Sequence, residues 1–121
     1  MPNISDVVVV EKVVEHRKTK HCVCISVATD KYLMINTSHR DIYDDFEIES
    51  SEYMFLKSIN RFVCCSEMFY VSPDKILRSV GNLNRDDMLK IVNKIQDSKI
   101  MDNTEKDSVL PELKKWLSDI P

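Results

Sequence analysis

Apolar residues change their spacing part-way along the chain. Up to residue 71 they form short β-branched runs or alternate with polar residues, and beyond residue 84 they recur every three or four positions. The first pattern predicts strands and the second amphipathic helices. Val7, Val8, Val9 and Val10, followed by Val13 and Val14, predict a first strand bent near Glu11 and Lys12. The polar run 15–21 predicts a loop. Residues 22–27 and 31–36 predict two strands joined into a hairpin by a tight turn at Thr29 and Asp30. Residues 37–45 read as a polar loop and 46–49 as a short fourth strand. A helical turn capped by a serine follows at 50–56, with Tyr53 and Leu56 inward. Residues 62–65 and 68–71 predict a fifth and sixth strand, or one bent strand.

Ser72 and Pro73 open a predicted short helix with Ile76, Leu77 and Val80 on its buried side. Asn84 caps a longer predicted helix, whose stripe is Met88, Ile91, Val92 and Ile95, with Asp86 and Asp87 placed for the helix dipole. Residues 99–107 read as a linker. A last helix is expected from a Ser108 cap, with Pro111 in its first turn and Leu110, Leu113, Trp116, Leu117 and Ile120 on its apolar face. Short strands followed by helices predict an α+β fold, a small curved antiparallel barrel with short helices. A chain of 121 residues predicts a single domain over 1–121, with a barrel core at 7–97 and an appended C-terminal helix at 108–120.

Composition adds limits. The chain is 43% hydrophobic and 31% charged, as in ordinary globular proteins, and no apolar run approaches the about 18 residues of a membrane span. The first residues carry no basic, then apolar, leader pattern, so a cytoplasmic location is expected. Gly81 is the only glycine and marks a position expected to need an unusual backbone. Cys22, Cys24, Cys64 and Cys65 do not follow zinc-ligand spacing; in a reducing compartment they read as small apolar core residues, with a metal or redox role as the rival. The net charge of −3 does not favour nucleic acid in bulk. The charge is uneven, however. His16, Arg17, Lys18, Lys20 and His21 form a basic run, and Asp41, Asp44, Asp45, Glu47 and Glu49 an acidic one. A short basic loop can hold a few phosphates on an acidic protein. With one glycine there is no phosphate-cradling loop, and no metalloprotease, Walker or nucleophile-elbow motif is present.

The segment 61–88 carries a more specific signal. It combines two apolar strands, a turn, the step Gly81, Asn82, Leu83, and a helix capped at Asn84. This layout resembles the C-terminal half of PemK/MazF-like toxins. The resemblance runs loosely over 7–97, is specific over 62–95, and leaves out 108–120. It implies an SH3-like barrel, a homodimer, an antitoxin or other protein partner, and metal-independent cleavage of single-stranded RNA with no cofactor. By position it implies catalytic roles for Lys20, where the family has arginine, for Thr37 and Ser38 at the end of a strand, and for Ser66 and Glu67. Ser66 stands where the family's acidic residue falls, with Glu67 one residue later. Arg17, Lys18, His21, His39 and Arg40 become the expected substrate-binding residues.

The chemistry defines what those residues must do. Attack by a 2′-hydroxyl needs a base for its proton, an acid for the leaving oxygen and positive charge for the phosphorane. Lysine supplies charge without the two-pronged geometry of arginine. His21 and His39 titrate near neutral pH, and the hydroxyls of Thr37 and Ser38 can hold a phosphate oxygen. The substitutions at Lys20 and Ser66 leave a second expectation open: a non-catalytic interaction module of the same fold, acting as a regulator or partner-binding protein of a mobile element.

Overall fold

The computed structural model describes residues 2–11, 19–56 and 61–119. The predicted strand at 13–14, Arg17, Lys18 and Ile120 lie outside them. The chain forms strands β1 (Asp6–Val10), β2 (Lys20–Ser26), β3 (Lys31–Asn36), β4 (Phe46–Ile48), β5 (Arg61–Val63), β6 (Phe69–Tyr70) and β7 (Ile76–Asn82). Helices α1 (Arg85–Asp97) and α2 (Asn103–Asp119) follow. Every pairing is antiparallel, in the order β4-β5-β3-β2-β1-β7, with β6 on the free part of β3. The fold is therefore α+β, as the apolar pattern predicts, with a barrel-like open sheet.

Alternation along the strands divides the interior in two. Val7, Val23, Ile25, Leu33, Ile35 and Val63 face α1 and α2, where they meet Met88, Ile91, Ile95, Val109, Leu113 and Leu117. Val8, Val10, Cys22, Cys24, Tyr32 and Val71 form a smaller cluster of their own.

Three expectations are corrected. The predicted short helix after Ser72 is only a 3-10 turn, Pro73–Lys75, and residues 76–82 form β7. Ile76 pairs with Val10, Arg78 with Val9 and Gly81 with Val7, across two register shifts. The apolar spacing of Ile76 and Val80 suits one helical turn as well as a strand, and the valine-rich edge of β1 decides the outcome. Ile76 and Val80 are half-buried and Leu77 is exposed, as on an edge strand. The last helix begins at Asn103 rather than after Ser108. The Asp102 carboxylate caps it, accepting from the Glu105 N–H at 2.8 Å, and Pro111 lies inside the helix. Gly81, finally, has no left-handed backbone. A Cβ there would fall 2.4 Å from the Phe55 ring, so close packing, not an unusual φ, is what requires glycine.

Two polar contacts fix the helices. Asn84 caps α1 by accepting from the Asp87 N–H at 2.8 Å; the Tyr53 hydroxyl donates to the Asp87 carboxylate and accepts from the Asn84 N–H. Glu112 of α2 reaches the β2–β3 turn, accepting from the Ser26 hydroxyl at 2.7 Å and the Val27 N–H at 2.8 Å. Among the described residues no helix is long and apolar enough to cross a membrane.

Candidate functional site

The β2–β3 register pairs His21 with Ile35 and Cys22 with Met34. Its continuation sets Lys20 beside Asn36 at the end of the sheet, on the same face as Cys22 and Met34. The chain leaving β5 closes the other side. The Cys64 N–H donates to the Met34 carbonyl at 2.9 Å, and the Cys65 and Ser66 N–H groups both donate to the Tyr43 carbonyl at 2.9 Å. This pair of hydrogen bonds accompanies a bend in the chain at Ser66. Ser66 is left buried, 3.8 Å from the Cys64 sulfur, and Glu67 exposed. The result is a concavity of about 220 Å³ lined by Lys20, Met34, Asn36, Tyr43, Cys64, Glu67 and Phe69. Tyr43 and Glu67 also line an adjoining, wider opening with Ile42, Ser66, Ile100 and Glu105.

The structure thus brings Lys20 and Glu67 together from segments 47 residues apart, with Ser66 at the back of the adjoining opening. Thr37 and Ser38 occupy an exposed bend directly after Asn36, beyond the lining of the concavity. His39 is engaged at both ring nitrogens, Nδ1 with the buried Asp45 carboxylate and Nε2 with Asp41 at 3.0 Å. The Asp45 contact is the main reason its pKa lies above the ordinary imidazole value. The Arg40 guanidinium lies 6.0 Å from the centre of the Tyr43 ring. His21, by alternation, points to the opposite face from Lys20. There it accepts from the Arg61 guanidinium at 3.1 Å. Burial first, then Arg61 and Arg78, hold its pKa below 6.5, so His21 is neutral at pH 7. Asn36, Tyr43 and Phe69 are the lining residues that sequence reasoning missed.

A larger concavity of about 340 Å³ between β4 and α1 contains none of the expected site residues. Lys90 and Lys94 face Asp44 and Asp97 there, and Asp44 already accepts from the Ser98 hydroxyl at 2.6 Å. The cysteines are buried free thiols. Burial pushes Cys22 up to about 12 and Cys24 up to about 11, and also raises Cys64 and Cys65. None of the four is a thiolate nucleophile at neutral pH. Among the described residues, no three His, Cys, Asp or Glu side chains are grouped to hold a metal ion.

No protein-family model matches the chain, and no curated protein is similar to it in sequence. A solved structure is similar in fold: an endoribonuclease in complex with its cognate antitoxin from a mycobacterial species. It aligns with a TM-score of 0.57 and 14% identity over 78% of this chain and 91% of that one. The likeness establishes that the two chains share a fold. It agrees at that level with the PemK/MazF-like resemblance of the sequence.

Proposed function

We propose that the chain is a PemK/MazF-like toxin, a metal-independent endoribonuclease that cleaves single-stranded RNA. The meeting of Lys20 and Glu67 in one concavity supports this reading. Glu67 takes the proton of a substrate 2′-hydroxyl. The 2′-oxygen then bonds to phosphorus, the bond to the 5′-oxygen breaks, and water in the open concavity returns a proton to the leaving oxygen. The products are a 2′,3′-cyclic phosphate and a 5′-hydroxyl. Lys20 neutralises the phosphorane, and Thr37, Ser38 and Arg40 at the rim hold flanking phosphates. Arg17, Lys18 and His39 act with them as substrate-binding residues in this reading, whereas His21 faces the other side of the sheet, against Arg61. In this reading the protein has an SH3-like barrel, works in the cytoplasm as a homodimer, and is restrained by an antitoxin.

One observation favours the rival, a non-catalytic partner-binding module: Ser66, at the family's acidic position, is turned inward against Cys64. The decisive assay incubates the purified protein with single-stranded RNA in the presence of a chelator. The nuclease cuts the RNA to cyclic phosphate ends, and Glu67→Gln slows cutting by about 10²- to 10⁴-fold with the melting temperature unchanged. Intact RNA under several salt conditions, beside an active relative that cuts it, leaves the partner-binding module.

A further inference from the structure

Tyr43 has an unusual position. It lines both the Lys20 concavity and the adjoining opening, and the only other residue in both linings is Glu67. Its backbone is fixed twice. The residue ends the 3-10 turn Asp41–Tyr43, and its carbonyl holds the Cys65 and Ser66 N–H groups. On this fixed backbone the half-buried residue borders both openings. A second aromatic, Phe69, and an amide that can both donate and accept, Asn36, complete the first opening. Arg40 puts a positive charge 6.0 Å from the ring centre. Aromatic faces, an amide and flanking cations are the means by which proteins hold unpaired nucleotides, since every base offers a π-face and every link a phosphate.

We infer that Tyr43 is a base-stacking platform separating two nucleotide subsites of single-stranded RNA, an inference that rests on the proposed reading of the concavity as an RNA site. One base lies in the opening with Phe69 and Asn36, and the next lies beyond Tyr43. The phosphate between them passes Glu67, which both openings share.

The test is equilibrium binding of a short single-stranded 2′-O-methyl oligoribonucleotide, which lacks the attacking hydroxyl, carrying 2-aminopurine at successive positions. Tyr43→Ala is expected to weaken binding by about 5- to 100-fold. Tyr43→Leu, which keeps bulk without a π-face and guards against misfolding, weakens it similarly, and Tyr43→Phe keeps the wild-type affinity. Emission of 2-aminopurine is quenched in the wild-type complex and recovers with Tyr43→Ala. Tyr43→Ala leaves the salt dependence unchanged, whereas Arg40→Gln lowers its slope by about 0.7. Wild-type affinity in the alanine and leucine variants overturns the platform. So does a Tyr43→Phe loss as large as that of alanine, because the hydroxyl would then be the contact. If Lys20→Ala still weakens binding in those cases, the RNA site survives without the platform. A wild-type protein that does not bind the oligonucleotide overturns both.

Discussion

The same strands serve two unlike faces of the sheet. Toward the helices, β1, β2, β3 and β5 present aliphatic residues that meet α1 and α2 in one cluster. On the other face the cluster is small, relies on Cys22, Cys24 and Tyr32, and opens at its end into the concavity of Lys20, Asn36 and Glu67. Dispersion and burial act over the whole helix-covered face and give stability. At the end of the other face Lys20, Asn36 and Glu67 gather, outside the helix-packed cluster. Fold and site can therefore be disturbed separately.

The largest separate effect belongs to Leu113, fully buried on the inner side of α2. Leu113→Ala is expected to lower stability by about 2–5 kcal/mol in chemical denaturation, while RNA cleavage per folded molecule stays at the wild-type value. A parallel loss of specific activity would mean that the faces are coupled. Gly81→Ala is next. Its new methyl group meets the Phe55 ring, so about 1–3 kcal/mol is lost, and a Phe55→Leu background relieves most of it. Full stability in Gly81→Ala alone would show that the ring simply moves aside. The smallest effect concerns the loop beside the concavity. His39 is expected to titrate above 6.5 by NMR, and Asp45→Asn to bring it back toward that value. Because the folded-state pKa is raised, the His39–Asp45 contact contributes fully below about pH 6.5 and fades as pH rises through the raised value. His39→Gln flattens this part of the stability profile.

Local signals made most of the fold legible. β3 has the predicted bounds, and Asn84 caps α1 because a side-chain cap and an apolar stripe are both local features. Ile76, Leu77 and Val80 fit one helical turn as well as a strand, and only pairing with β1 decides between them. At the start of α2 Ser108 resembles a cap in sequence, but Asp102 is the residue bonded to the first turn, and the Ser108 hydroxyl donates back to the Glu105 carbonyl at 2.6 Å. At the site, Lys20 and Glu67 could be named through the family resemblance. Asn36, Tyr43 and Phe69 could not, since their meeting depends on the β2–β3 register and on one carbonyl accepting two N–H groups across the fold.

The Glu112 contact has a consequence for the order of synthesis. The β2–β3 hairpin leaves the ribosome well before α2, since the carboxylate bound to its turn comes 84 to 86 residues later. Such distant contacts form late, because the intervening chain must first be ordered. The hairpin is thus locked only when the last helix has been made. A nascent chain that stops short of residue 112 leaves the turn amides to water. Closure of the turn is therefore tied to synthesis of the chain through α2.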